Sequence, residues 1–198
     1  MPSFIGSKQL IALLKNALSG KEGSKEVLSI CSKKVPTKTL FPVVMDLWKS
    51  IQNESSSVRV DHLTTHRANG QILSAFFDLL RLVLRNADRA SLPGLMKQIF
   101  AFFLDVFDLR HRLQLKSFDS EAIAIVEDSA VGSFLELVTK LNEATFRPLF
   151  VRLYDWAVID LSEGKGIDDT RLTERRIVLF RVMMGLLNKF KVSVRLLS

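Results

Sequence analysis

The sequence predicts an all-α fold and, within that class, an α-solenoid of antiparallel helical hairpins of the HEAT or armadillo kind. Three observations predict it. Apolar residues recur almost everywhere at helical spacing, and no stretch alternates as a strand does. A short motif is repeated: Thr39-Leu40-Phe41-Pro42, followed by Val43, Val44, Met45 and Leu47, has the form of Thr145-Phe146-Arg147-Pro148, followed by Leu149, Phe150, Val151 and Leu153. Ser91-Leu92-Pro93, followed by Leu95 and Met96, is a looser third copy, so that the three prolines lie 51 and 55 residues apart. That is longer than the ~40–47 residues of a HEAT repeat, which implies long helices or inserted turns. Finally, neither end of the chain has the polar outer face of a capping repeat. The last residues, Val192-Ser193-Val194-Arg195-Leu196-Leu197-Ser198, lack a helix stop, as expected of a piece of a longer array.

In chain order the spacing predicts helices at 8–18, 25–34, 39–52, 58–86, 92–115, 120–141, 146–161 and 171–192. The connections 19–24, 53–57 and 162–170 are short and polar. Within 58–86, Asn69-Gly70 is a candidate break, because both residues tolerate a left-handed cap. Within 120–141, Asp128 or Ser129 is a candidate restart ahead of Gly132. Asn142 to Thr145 reads as a stop and start, with Thr145 as N-cap and Pro148 in the first turn, where a missing N–H costs no intrahelical bond. We divide the chain into helical-hairpin repeats over 1–117 and more distinctive helical repeats over 118–198, continuous as one solenoid.

Composition narrows the function. With 47% hydrophobic residues a real core is expected. The longest apolar run, Ile99 to Leu104, is ended by Asp105, far short of the ~20 residues of a spanning helix. No secretory leader opens the chain. Cys31 is the single cysteine, which excludes an internal disulfide and fits a reducing compartment. The net charge of +7 is unevenly placed: residues 118–170 hold 11 acidic and 4 basic side chains, and 171–198 hold 7 basic residues and only Glu174. Basic flanks around an acidic middle suggest separate partner surfaces or solvated helix faces.

Catalytic constellations are scarce. His62 and His66 share a helix face at i and i+4, but Leu63-Thr64-Thr65 between them lacks a metalloprotease glutamate, and surface histidines are the reading preferred; His111 stands alone. Cys31 reads as a half-buried core thiol. Gly164-Lys165-Gly166 lacks the spacing of a phosphate loop. The pairs Glu127-Asp128 and Asp168-Asp169 are expected at helix ends, as caps and dipole partners. Asn53-Glu54-Ser55 matches a glycosylation acceptor and is silent without a secretory signal. Phe76, Phe77, Phe100, Phe102, Phe103 and Phe107 are expected in the core, as are Trp48 and Trp156. No cofactor, metal or small-molecule substrate is implied.

One binding surface can be drawn. In the last helix Leu172, Leu179, Met183, Leu186, Leu187 and Phe190 share an arc of roughly 100°, expected to face the core. Arg171, Arg175, Arg181 and Lys189 gather in an arc on the far side, expected to face outward. Such a stripe suits a phosphate backbone, an acidic protein segment or plain solvent.

The stretch Phe134 to Ala157 is the most distinctive in the chain. Its words Leu141, Asn142, Glu143, Thr145, Phe146, Arg147, Pro148, Leu149 and Phe150, with Asp155 and Trp156, resemble the C-terminal region of the very large HEAT-repeat subunit of the small-subunit processome. The resemblance is specific over roughly 118–190. It implies a non-enzymatic nucleolar scaffold acting in early pre-rRNA transcription and processing toward 18S rRNA. The implied partners are other processome proteins, with pre-rRNA or small nucleolar RNA a further candidate, and no membrane. The alternatives are a HEAT-type adaptor in transport or trafficking and a stand-alone basic RNA-binding module. Within this reading the distinctive segment serves mainly packing and capping.

Overall fold

A computed structural model describes residues 7–18, 23–57, 62–114, 119–159 and 169–194, which contain helices and turns and no strand. The chain divides into two compact units, 1–93 and 94–198. The helices over 96–114 pack on those that follow them, within the second unit.

In the first unit, α1 (Ser7–Leu18), α2 (Ser24–Lys34), α3 (Thr37–Ser57) and α4 (His62–Asn86) form two stacked hairpins. Each helix meets its chain neighbour in the hairpin, and α1 also packs on α3 and α2 on α4. The entry to α2 needs a glycine, since Gly23 has φ 81, a region costly for a side chain with a Cβ. The exit is set by Pro36, which forces Val35 into an extended conformation and stops the helix. The core is Leu14, Leu40, Phe41, Leu47, Phe76, Phe77, Leu80 and Leu84, with Trp48 set 5.0 Å from the ring of Phe76 and 5.6 Å from that of Phe77. Asn86 Nδ2 donates to Ser32 Oγ at 2.9 Å and ties α4 to α2. Cys31 is buried, and burial raises its thiol pKa.

The second unit holds α5 (Met96–Phe107), α6 (Leu109–Gln114), α7 (Ser120–Val138), α8 (Glu143–Tyr154) and α9 (Asp169–Val194), with a π-helical turn at Asp155–Ile159 after α8. α7 is central, packed by α5, α6 and α9. The α7–α9 contacts advance together along both helices, Asp128 with Arg181 and Glu136 with Lys189, so the two run parallel. Phe134 of α7 lies 5.1 Å from Phe103 and 5.4 Å from Phe107 of α5, edge to face, and Phe107 lies 6.2 Å from Trp156. Edge-to-face pairs of this kind add about 0.5–1.5 kcal/mol beyond their buried area. All six phenylalanines expected in the core are buried.

Several local expectations are corrected. α4 runs unbroken through Asn69-Gly70, and α7 through Asp128, Ser129 and Gly132, because tertiary packing overrides weak local breakers. The predicted helix 92–115 is instead two helices, α5 and α6, which begin only after a turn at 92–95 and, before it, a 3-10 turn at Arg89–Ser91. Asp88 starts that turn by accepting from the Ala90 N–H, and Asp108 separates α5 from α6 with φ −81 and ψ 2. Thr145 is not the N-cap of α8. Asn142 is, in a capping box in which its side chain accepts from the Thr145 N–H at 2.9 Å while Thr145 Oγ1 accepts from the Asn142 N–H. Pro42 and Pro148 nonetheless share one register, each the sixth residue of its helix. Each removes a donor from the carbonyl four residues earlier, at Lys38 and Ala144, and all four residues are exposed, where water replaces the bond. Pro93 lies in a turn before α5 and is not a third copy. Of the distinctive segment, Phe134, Leu137 and Ala157 are core, whereas α8 itself buries only Leu153.

Candidate interaction surface of the last described helix

The acidic middle of the sequence and the basic helix after it meet inside the second unit. Asp108, at the joint of α5 and α6, receives Arg175 Nε at 2.8 Å and Nη2 at 3.3 Å, and also pairs with Arg171. Arg175 donates further to the Trp156 carbonyl at 3.2 Å, and its guanidinium lies 4.8 Å from the Trp156 ring. Its side chain is only 7% exposed. Burial pushes the Asp108 carboxyl pKa up, but the hydrogen bonds and charges of Arg175 and Arg171 outweigh it and hold it below the ordinary carboxylate range.

A second cluster joins α6, α7 and α9. Glu127, 5% exposed, accepts both Arg110 Nε at 2.6 Å and Nη2 at 2.7 Å, a bidentate pair. That double hydrogen bond raises the Arg110 pKa against the opposing effect of burial. Arg181 Nε lies 3.4 Å from Glu127, and its Nη1 donates to Asp128 at 2.6 Å. Farther along, Lys189 donates to Glu136 at 3.1 Å, and His111 Nδ1 sits 3.2 Å from Glu174. Glu127 and Asp128 therefore lie mid-helix as interhelical partners, not at a helix end.

The expected orientation of α9 is thereby reversed. Arg171, Arg175, Arg181 and Lys189 all face acids of α7 and the α5–α6 joint. Of the arc expected in the core, Leu179 is buried and Leu172 and Leu186 are half-buried, but Met183, Leu187 and Phe190 are exposed. The truly buried positions are Val178, Leu179 and Val182. Gly185 marks a close approach, since a Cβ there would meet Leu135 Cδ1 at 2.7 Å. The physical reason is that α7 turns the buried carboxylates Glu127 and Glu136 toward α9, and buried carboxylates demand cations. Helical spacing alone cannot say which of two arcs is inward. The missed signal was the acidic block 118–170, whose charge calls for a complement nearby.

Among the described residues no group of three or more His, Cys, Asp or Glu is placed to hold a metal ion. The side chains of His62 and His66, Asn53-Glu54-Ser55, Gly164-Lys165-Gly166 and Asp168-Asp169 lie outside the described ones. No described helix is long and apolar enough to cross a membrane.

Comparison with known proteins gives consistent findings. The model of the BP28CT (NUC211) domain matches residues 92–195. U3 small nucleolar RNA-associated protein 10 of Schizosaccharomyces pombe is 31% identical over 81% of this chain, and that of Mycosarcoma maydis 30% identical over 87%. HEAT repeat-containing protein 1 homolog of Dictyostelium discoideum is 30% identical over 71% of the chain. These matches cover 8%, 8% and 6% of the relatives' own lengths, so the chain corresponds to a small part of them. The helical-repeat class of the relatives agrees with the all-α, α-solenoid fold class expected from the sequence. No solved structure gives a significant match.

Proposed function

Because this chain belongs to the BP28CT (NUC211) domain family, we propose that it is a scaffold segment of a nucleolar ribosome-biogenesis assembly associated with U3 small nucleolar RNA. In this reading it is non-enzymatic and works in the small-subunit processome, in early pre-rRNA processing toward 18S rRNA and in rDNA transcription. Its partners are other processome proteins, and its place is the nucleolus.

The observation that carries the reading is the family match over 92–195, joined to the way the unit deploys its charge. The four cations that would have made α9 an RNA-binding stripe are paired with Asp108, Glu127, Asp128 and Glu136. Pairing of this kind holds helices together and leaves less positive field for a phosphate backbone. Contacts to proteins along exposed helix edges fit such a frame better than contacts to RNA.

Affinity purification of the full-length protein tests this. Ribosome-assembly proteins and early pre-rRNA should co-purify. Recovery of transport factors or coat proteins instead would overturn the assignment, and salt-sensitive RNA binding by the isolated chain would move the function toward RNA.

A further inference from the structure

The first unit carries nearly all of the chain's net charge. Residues 1–93 hold 13 basic and 7 acidic side chains, against 15 and 14 over 94–198. The fold gathers that excess at one end. α2 and α4 run the same way, tied near their last turns by Asn86 and Ser32, and α1 runs with α3, Lys15 Nζ reaching Ser50 Oγ at 3.4 Å. The last turns of α2 and α4 therefore lie beside the first turns of α1 and α3. Over 7–14, 27–44 and 82–91 there are six cations, Lys8, Lys33, Lys34, Lys38, Arg85 and Arg89, all exposed. The single acid there is Asp88, whose carboxylate caps the 3-10 turn. Arg81 and Asp78, farther back on α4, offset each other in charge.

Helix dipoles do not explain the excess. Two helix C-termini and two N-termini meet here, and ends worth about half a charge each, of opposite sign, cancel. Lys8 and Lys38 stand in the first turns of α1 and α3, which contain no acid, so each cation meets the positive end of its own helix. With neighbouring helices about 10 Å apart, six like charges repel across about 20 Å, and an anionic partner relieves that repulsion. The class of anion follows from the apolar side chain among them. Ile30 of α2 is 59% exposed and shares a helix face with Lys33 and Lys34. No aromatic side chain is exposed over these ranges, Phe41 being fully buried, so nucleic-acid bases have nothing to stack on. A phosphate backbone would leave Ile30 in water, whereas a peptide with an apolar residue among its acids covers Ile30 and the cations together. We infer that this end of the first unit docks a short acidic segment of another protein, with an apolar residue of that segment seated on Ile30. This rests on the scaffold reading and gives its partner a chemistry.

The test follows labelled peptides binding to the 198-residue chain by fluorescence anisotropy. The probe is a leucine set among glutamates, about eight residues long, a span of about 25 Å. Its comparison peptides carry serine for the leucine, or lysines for the glutamates. The glutamate–leucine peptide should bind, with affinity falling as salt rises, and the lysine peptide should not. Lys8→Glu with Lys38→Glu should weaken binding about tenfold or more while the urea midpoint holds or rises, because acids suit helix N-termini. Lys49→Glu, the same kind of change farther along α3, should alter binding less than about twofold. Ile30→Ser in the chain, and serine for leucine in the peptide, should each weaken binding about fivefold. Binding of neither peptide, equal binding of both charges, or no effect of Ile30→Ser overturns the inference. So does a single-stranded RNA of equal charge that binds as tightly or displaces the peptide. If the peptides fail while ribosome-assembly proteins still co-purify, the inference alone falls. If the glutamate–leucine peptide binds as expected while transport factors co-purify, the proposed function alone falls.

Discussion

Glu127 is the place to test whether ion pairs hold the second unit together. Glu127→Leu removes a carboxylate that is 5% exposed and leaves Arg110, 13% exposed, without its bidentate partner. Removing one member of a buried pair costs about 3–5 kcal/mol, because the other charge is left desolvated. Since Arg181 keeps Asp128, we expect the lower end, about 3 kcal/mol. Arg110→Met leaves Glu127 only the longer contact to Arg181 at 3.4 Å, and should cost about 2 kcal/mol. The double variant replaces the buried pair by apolar volume and strands neither charge, so it should cost well under the sum of the two single changes. At about 2 kcal/mol for the pair of changes, the coupling energy is about 3 kcal/mol. The assay is urea unfolding in a Trp48→Phe background, where Trp156, in contact with Phe107 and Arg175, reports on the second unit alone. A coupling energy below about 0.5 kcal/mol would refute the reasoning and make these pairs ordinary surface contacts.

Four further outcomes are expected. Gly70→Ala, in mid-α4 with open space around the added Cβ, should stabilise the first unit by about 0.5–1 kcal/mol in urea unfolding; destabilisation would mean that α4 breaks there. Asn142→Ala should cost about 1 kcal/mol by the same measurement, through loss of the α8 N-cap, and Asn142→Gly less. Asp108, with its folded pKa depressed, contributes stability that is present above the unfolded value of about 3.9 and lost as pH falls through the folded one. The gap in urea midpoint between the parent chain and Asp108→Asn should therefore be flat from neutral pH to about 5 and narrow below about 4, and a gap unchanged down to pH 2 would contradict this. Cys31, buried and with its pKa raised, should react with a thiol reagent at neutral pH far more slowly than a free thiol, and reach the free-thiol rate in denaturant.

Periodicity carried most of the helices, because apolar spacing reflects burial directly. It placed Phe76, Phe77, Phe103 and Phe107 in the core for that reason. It failed where a local signal competes with a distant partner. Asp108 interrupts a convincingly periodic run, and its guanidinium partners are 63 and 67 residues away. Glu127 and Asp128 resemble helix-end acids in sequence, and only the packing of α6 and α9 on α7 shows them as ties. α9 has two well-formed arcs, and hydrophobicity chose the wrong one because buried carboxylates on the neighbouring helix outweighed it. Pro148, expected in the first turn behind Thr145, lies about one turn deeper because Asn142, three positions earlier and an equally good cap residue, starts the helix.

The parallel seam between α7 and α9 has a mechanical consequence. A purely apolar seam lets one helix glide along another, exchanging one set of methyl contacts for a similar set. Here a slip of one turn, about 5.4 Å, would carry Arg181 away from Glu127 and Asp128 and Lys189 away from Glu136, breaking three acid–base contacts together, two of them to buried carboxylates. Glide is penalised from the first ångströms, so under load the second unit should act as a stiff link and not as a spring. A load strong enough to shear it should release α9 in one step.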